Sequence, residues 1–327
     1  MKRAPSRGAP RLWFAVGVVT ALLLLAVSGV HVGNDGTKSE GTALAAVPGR
    51  ILFGHAGDIW IADGGAVFPL TNGGRYWYQP DASPDGSRLA LISWGQSATD
   101  VYVMNTDGSE VRQLTNSQAR RLQDNAWVFF PRWSPDGQSI AFISDRNSNY
   151  PMLWTMRTDG SGARQLTQAR SNLDAVDSFS WSPDGSQIAA TRFQLNTSQI
   201  NVIDVARPAN SRILTNIAGG SFDPSWSPDG QHIAFVARDG RRTLIEVLDI
   251  TSNDPPTVLV TADSARSPRW SPNGSSIAYL ALSGAEFELF VVDLFITPEG
   301  RLLAGQPIQL TSQFGVDATS GLTWVPG

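Results

Sequence analysis

Few residues in this 327-residue chain are of types that could carry chemistry, and their scarcity excludes several mechanisms. The absence of Cys excludes thiol nucleophiles, thiolate metal sites and disulfide frameworks. Lysine occurs only at Lys2 and Lys38, which excludes Schiff-base chemistry in the rest of the chain. Histidine occurs only at His31, His55 and His232, so catalysis would depend on carboxylates, hydroxyls, a bound metal or one of the last two histidines. We therefore expect no enzyme activity, with a metal-dependent hydrolase or lactonase as the alternative.

Two short stretches combine arginine with aromatic side chains, the residue types that dominate protein-binding hot spots. Residues 72–79 and 116–130 contain the candidate partner-binding residues Arg75, Tyr76, Trp77, Tyr78, Arg120, Arg121, Trp127 and Phe129. Arg170 and Arg266 are added as contacts at the rim of the same surface. We expect this set to bind a protein or peptide of the cell envelope. Packing of the aromatic side chains under their own loops is the alternative, and a glycan or small-ligand sensor is a further one.

Aspartates form a second, weaker pattern in the same regions of the chain. Seven of them lie in or beside the predicted loops between repeats: Asp81, Asp124, Asp174, Asp177, Asp223, Asp263 and Asp317. Carboxylate oxygens are the ligands that Ca²⁺ prefers, so a calcium ion would bind if several converged. Solvated loop carboxylates are the commoner outcome. We expect no cofactor, with Ca²⁺ as the alternative.

The element that positions these residues is a sequence repeat. PRWSPDGQSIAFIS at 131–144 returns with small changes at 80–93, 179–192, 224–237 and 268–281. The prolines of its turn lie 51, 48, 45 and 44 residues apart, and a short apolar run ending in Leu-Thr or Val-Thr follows each copy. Repeats of about 40–45 residues are typical of four-stranded propeller blades. The repeated Trp is expected to pack between blades, and the repeated Asp to bond backbone amides of its turn.

The two ends of the repeat region predict how the ring closes. Residues 322–327 begin a repeat that stops at its turn, whereas residues 49–53 correspond to a second strand. The C-terminal strand would therefore complete the N-terminal blade. Five complete repeats and one divided repeat predict an all-β, six-bladed β-propeller with four-stranded antiparallel blades over residues 49–327.

The repeated motifs resemble a known family. WSPDG followed by IAF, LWTM, DG and RQLT is similar to the PD40 repeat, a WD-repeat-like unit of the TolB β-propeller. The resemblance implies a propeller and a role in binding envelope proteins. TolB proteins carry an α/β domain before the propeller, where this sequence has only an apolar segment and a short linker. Prolyl-oligopeptidase-type propellers are also similar, but the sequence contains no GxSxG nucleophile motif.

The N-terminal segment predicts on which side of the membrane the repeat region lies. Residues 12–30 contain no charge and would span about 28 Å as a helix, close to the thickness of a bilayer core. Four basic residues precede this stretch, so we expect 1–11 to be cytoplasmic, 12–30 to be a transmembrane signal-anchor and 31–48 to be a flexible linker. The propeller would then lie outside the cytoplasm, anchored to the membrane. A cleaved signal peptide, which would yield a secreted protein, is the alternative.

Charge argues against nucleic acid as a partner. The chain has a net charge of −4, and four of its 25 Lys and Arg residues lie within the first 11 residues, where no acid occurs. The remaining chain is therefore still more acidic, whereas nucleic-acid binding requires a basic surface.

Overall fold

The fold is a closed ring of six antiparallel sheets. The computed structural model describes residues 49–148, 150–169, 174–194, 197–298 and 301–325. These residues contain no α-helix; a 3₁₀ turn covers Leu122–Asp124. Within these ranges, no helix is long and apolar enough to traverse a lipid bilayer. The predicted signal-anchor over 12–30 lies outside the described residues.

The strands follow the repeat in every blade. The first blade consists of β25 (Leu322–Val325), β1 (Arg50–His55), β2 (Asp58–Asp63) and β3 (Ala66–Pro69). The second consists of β4 (Trp77–Ala82), β5 (Arg88–Trp94), β6 (Thr99–Asn105) and β7 (Arg112–Gln113), and the third of β8 (Val128–Trp133), β9 (Ser139–Ser144), β10 (Met152–Arg157) and β11 (Arg164–Gln165). The fourth consists of β12 (Ala175–Trp181), β13 (Gln187–Gln194), β14 (Thr197–Asp204) and β15 (Ser211–Ile213), and the fifth of β16 (Ser221–Trp226), β17 (His232–Asp239), β18 (Arg242–Asp249) and β19 (Thr257–Ala262).

The sixth blade departs from the four-stranded prediction. It contains β20 (Arg266–Trp270), β21 (Ser276–Ser283), β22 (Glu286–Ile296), β23 (Leu302–Ala304) and β24 (Ile308–Gln309). The 11-residue β22 pairs with β24 at Phe290 and Val291, in its middle, and with β23 along its last three residues. An extra hairpin therefore extends beyond the turn that ends the third strand in the other blades.

Ring closure occurs as predicted. β1 pairs antiparallel with β25, and Ile51 lies opposite Trp324 in the register. The first strand of each blade contacts the first strands of both neighbouring blades, so these six strands surround the axis of the ring. Closure in this way leaves no end blade with an uncovered face.

The repeated residues hold the blades together. Trp226 packs against apolar residues of the fourth and fifth blades, and Trp324 packs against those of the sixth and first. In the turn, Ser83 Oγ donates to Asp85 Oδ1, and the backbone N–H of Ser87 donates to the same oxygen. These hydrogen bonds lower the pKa of Asp85 to about 2. The predicted roles of the repeated Trp and Asp are confirmed.

The first strands of four blades contain a β-bulge that the sequence motif does not predict. Three residues before the Trp position, the backbone of four non-glycine residues takes a positive φ of 50–57°: Gln79, Phe130, Asp223 and Ser267. Register shifts lie at the same places in β4, β8, β16 and β20. Such a conformation costs on the order of 1–3 kcal/mol per residue. The bulges interrupt the regular alternation of side chains near the axis.

Candidate functional site

Four aromatic side chains form a continuous row on the face that carries the loops between blades. The ring centroids of Tyr78 and Trp94 lie 6.1 Å apart, and those of Trp94 and Trp127 lie 5.5 Å apart. Trp127 stacks parallel to Phe129 at 6.4 Å. We call Tyr78, Trp94, Trp127 and Phe129 the aromatic ladder. It joins the second blade to the third.

The ladder connects the two stretches that the sequence singled out. Tyr78 belongs to the stretch at 72–79 and lies in β4, and Trp127 belongs to the stretch at 116–130 and directly precedes β8. Trp94, which lies between them, ends β5 and was missed by the sequence analysis. The available signal was an aromatic residue at the loop-face end of a second strand, directly after the repeated motif. Because Tyr78, Trp94 and Trp127 are only partly buried, they leave apolar surface for a partner.

Hydrogen bonds hold the longer loop rigidly against the second blade. Thr99 Oγ1 donates to the carbonyl oxygen of Val128 at 2.6 Å and accepts from the Val128 N–H at 2.7 Å. Asn125 Nδ2 donates to Ser97 Oγ at 2.8 Å. The backbone N–H of Trp127 donates to the buried carboxylate of Asp145 at 2.7 Å. The ladder is therefore preorganised, which reduces the entropy lost when a partner binds.

A groove of about 740 Å³ opens beside the ladder. Its lining includes Arg75, Trp94, Tyr102, Asn116 and Gln118. We call it the blade-2 groove. Polar amides and aromatic rings share its walls, so it offers both hydrogen bonds and apolar contact.

Asp100 fixes the floor of the blade-2 groove. Its carboxylate accepts hydrogen bonds from Thr115 Oγ1 at 2.8 Å, the Ser117 N–H at 2.8 Å and Gln113 Nε2 at 3.0 Å. Thr115 Oγ1 also accepts from the N–H of Val101 at 3.0 Å. The end of the fourth strand and the loop that follows are thereby tied to the third strand.

The bond from a third-strand N–H to the Thr hydroxyl recurs in five of the six blades. The hydroxyls of Thr71, Thr115, Thr167, Thr215 and Thr311 each accept a backbone N–H from the third strand of their own blade. In the first and sixth blades, Asp58 and Glu288 accept the hydrogen bond from the Thr hydroxyl that Asp100 accepts in the second. The Thr is recognisable in the sequence as a repeat marker, but its acidic partner, 13 residues earlier in the first blade and 23 in the sixth, was not predicted.

The residues predicted to contact a partner differ in their exposure. Tyr76 is 65% exposed, and Arg75, Arg120 and Arg121 are also exposed. Trp77 is only 5% exposed because it packs between the first and second blades, so the prediction that it contacts a partner is wrong.

Phe129 is also buried, so it stacks against Trp127 and does not itself face a partner. Arg266 is half-buried over the ring of Phe287 on the sixth blade, away from the ladder. Arg170 lies outside the described residues.

Acidic and basic side chains meet near the ring axis. Arg132 Nη1 lies 3.3 Å from Asp81 Oδ1, and the N–H of Trp133 donates to Asp81 Oδ2 at 2.8 Å. Burial raises the pKa of Asp81 even though Arg132 opposes the shift. Burial, and then the charge of Arg132, lowers the pKa of Arg269 to about 9.

The aspartates do not converge as a calcium site would require. Asp174 forms a buried two-point ion pair with Arg192, with both N–O distances at 2.6 Å. Desolvation raises the pKa of Asp177 to about 6, and the nearby charge of Asp223 adds to the shift. Within the described ranges, no three His, Asp or Glu side chains gather as metal ligands.

The two described histidines have separate structural surroundings. His55 ends β1 on the loop face, where its Nδ1 lies 2.9 Å from the carbonyl oxygen of Gly315. His232 begins β17 beside the turn on the opposite face, with its Nδ1 3.3 Å from Asp229 Oδ2. Because they lie at opposite ends of second strands, they do not share a site.

Comparison with known proteins agrees with the fold. Residues 66–221 match the TolB beta propeller domain, PD40. The Tol-Pal system protein TolB of Anaeromyxobacter dehalogenans (strain 2CP-1 / ATCC BAA-258) is 36% identical over 140 residues, 43% of this chain and 29% of that protein. The uncharacterized peptidase YuxL of Bacillus subtilis (strain 168) is 37% identical over 120 residues, 34% of this chain and 16% of that protein. This chain thus covers less than a third of either relative.

A solved structure extends the similarity to nearly the whole chain. TolB from Acinetobacter baumannii aligns with a TM-score of 0.68 at 20% identity, covering 95% of this chain and 71% of that one. At this identity the likeness establishes the fold. The chain is therefore a six-bladed propeller whose residues 66–221 match the TolB beta propeller domain, and it resembles TolB in both repeat sequence and blade architecture.

Proposed function

We propose that this protein is a non-catalytic scaffold that binds a protein or peptide segment outside the cytoplasm. The observation that carries the proposal is the aromatic ladder, which is partly exposed beside the blade-2 groove. A rigid aromatic row with flanking arginines has the composition of a binding hot spot. Loops on a closed propeller are held by the scaffold, so the row keeps its shape before and after binding.

The relatives support the same class of function. Proteins named for the Tol-Pal system share these repeats over 140 residues of this chain. We extend to this chain the role of an envelope component that binds other proteins. The uncharged segment at 12–30 supports a tether that holds the propeller at the outer side of the membrane.

The test is a selection from a displayed library of random dodecapeptides on the immobilised full chain. Enriched peptides are then titrated against wild-type protein and a Trp94→Ala/Trp127→Ala variant by fluorescence anisotropy. We expect at least tenfold weaker binding to the variant, because removal of two large side chains eliminates most of the apolar contact.

Phe295→Ser is the matched control, since this exposed aromatic lies on the extra hairpin of the sixth blade, at the opposite face. Its binding should equal that of wild type. Peptides that bind wild type and the double variant equally would refute the proposal.

A further inference from the structure

The extra hairpin of the sixth blade leaves three large apolar side chains exposed. Phe295 lies directly opposite Leu303 in the register of β22 and β23, and Ile296 is the next residue of β22. The exposed fraction is 56% for Phe295, 75% for Ile296 and 45% for Leu303. We call these three residues the hairpin patch. Large apolar side chains exposed together on one projecting element are typical of a contact surface.

Packing on the blades holds this hairpin in place. Leu294, Leu302 and Ala304 pack against the core between the fifth and sixth blades. The N–H of Gly305, directly after β23, donates to the carbonyl oxygen of Asp293 at 2.8 Å. The hairpin patch is therefore presented on a fixed support and not on a free loop.

The N-terminal end of the propeller lies on the face that carries the WSPDG-type turns, which we call the turn face. Ile51 in β1 lies opposite Trp324, as Ile277 in β21 lies opposite Trp270. The turn of the sixth blade ends just before β21. Residue 49 therefore stands at the level of the turns.

The hairpin projects from the same face of the neighbouring blade. β22 reaches the level of the turn at Asp293, which lies opposite Ser276, and its last three residues extend beyond that level. The sixth blade packs directly against the first, because Ile51 and Trp324 share one core cluster with Val291. The start of the propeller and the hairpin patch thus lie on the turn face of adjacent blades.

The predicted linker determines which face would be near a membrane. Residues 31–48 separate the predicted anchor at 12–30 from the propeller. A Gly-rich coil of this length has a root-mean-square span of about 23 Å. Such a tether would hold the turn face next to the bilayer and would raise the local concentration of any lipid contact that this face makes.

Charge and area favour neutral lipid as the occupant of the hairpin patch. The turn of the sixth blade has Asn273 where the turns of the second to fifth blades have Asp. Residues 293–305 contain two acids and one base, so no basic cluster attracts anionic lipid. Three partly exposed side chains present far less than the roughly 600 Å² per partner of a small stable protein interface. A tethered lipid contact requires less area, because the tether supplies the local concentration.

From these features we infer that the hairpin patch inserts into the interfacial region of the membrane to which the chain is tethered. This inference rests on the proposed tether and specifies the orientation of the propeller. Phe295 and Ile296 enter the boundary between headgroups and acyl chains, where neutral phospholipid is sufficient. The turn face then lies towards the lipid, and the aromatic ladder on the opposite face is directed away from it, towards a partner.

The absence of Cys from the chain allows a fluorophore to be attached at one position at a time. The full chain is reconstituted into phosphatidylcholine vesicles in which some lipids carry a nitroxide near the headgroup end of one acyl chain. The environment-sensitive fluorophore NBD is attached at Leu303→Cys. The matched control is Ile213→Cys, an apolar position that is 60% exposed on the fourth blade, across the ring from the first. We expect the nitroxide lipid to remove about half or more of the NBD emission at position 303 and to leave position 213 unchanged, because an inserted side chain lies at the depth of the nitroxide.

Phe295→Ser/Ile296→Ser in the protein labelled at position 303 tests the patch itself. Both side chains are exposed, so the fold is retained. Quenching should fall to the level seen at position 213, whereas flotation of the protein with the vesicles should not change. Addition of phosphatidylglycerol should not increase quenching at position 303.

The possible failures are distinguishable. Protein that does not float with the vesicles would overturn the tether and this inference together, while peptide binding by the aromatic ladder is tested separately. Protein that floats but shows equal quenching at positions 303 and 213, quenching that survives the double Ser variant, or quenching that requires phosphatidylglycerol would overturn the inference alone. A blue shift of NBD emission that depends on protein density and not on lipid would identify a second copy of the chain as the occupant and would also overturn it.

Discussion

The closing strand offers a sharp test of the architecture through Trp324→Ala. Trp324 is 8% exposed and packs against the sixth blade and β1. Truncation of a buried Trp to Ala costs about 3–5 kcal/mol, from lost apolar contact and the cavity that remains. Trp226→Ala is the matched control, because Trp226 occupies the same repeat position at 7% exposure in a blade whose strands are contiguous in sequence.

The two variants should lose similar global stability and differ in where the molecule opens. Urea denaturation followed by tryptophan fluorescence measures the free energy of unfolding of each. Hydrogen exchange measures local opening. Because β25 and β1 lie at opposite ends of the propeller sequence and no turn joins them, Trp324→Ala should expose the amides of β1 and β25 well before global unfolding. Trp226→Ala should leave those amides protected. Equal protection of the β1 and β25 amides in both variants would refute the reasoning that this strand pairing closes the ring.

Three further predictions concern carboxylates. Asp100→Asn should loosen the loop after β7 at a cost of about 1–3 kcal/mol, measured by urea denaturation, and weaken selected peptides; unchanged exchange of the Ser117 amide would contradict this. The turn aspartates have a pKa below the ordinary value, so the stability they contribute is present near neutral pH and is lost as pH falls from about 4 towards 2. The sixth blade already has Asn273 at this position, so a variant can carry Asn in the other four turns, at Asp85, Asp136, Asp184 and Asp229. This variant should lose less free energy of unfolding than wild type as the pH falls from about 4 towards 2. An equal dependence of stability on pH in the two proteins would count against this role. Asp177 has the opposite sign: its pKa is raised to about 6, so wild type loses stability as the pH rises from about 4 towards 6, where the unfolded chain ionises more readily than the fold. The stability of Asp177→Asn relative to wild type should therefore increase between pH 4 and pH 6.5, and a constant difference in thermal midpoint over that range would rule this out.

Local signals predicted the blades because each repeat encodes its own strands. A Pro preset for a tight turn, a Gly closing it and an apolar run after it specify two strands and their connection within 14 residues. The extra hairpin of the sixth blade was missed because residues 294–304 replace the usual Asp-Gly turn with further strand residues. No local rule distinguishes that insertion from a longer loop.

The candidate site was predicted in part, and the errors have a physical cause. Arg75, Tyr78 and Trp127 were found because arginine and aromatic residues stand out in loops that otherwise vary. Trp77 was misjudged because a side chain at the first position of a strand points either into the space between blades or outwards. Trp94 was missed because it directly follows the repeated motif, at the end of β5, where a residue that differs between repeats indicates only that the strand ends.

The sequence alone determined the number of blades, the strands of the repeat and the pairing of the two ends, since these depend on contacts between residues close together or on a period that is counted directly. Only the tertiary structure decided which loop side chains meet. Tyr78 and Trp127 lie 49 positions apart and come together because Trp94 stands between them and because Thr99 and Asn125 fasten one blade to the next. Those contacts depend on the packing of neighbouring blades, which no single repeat encodes.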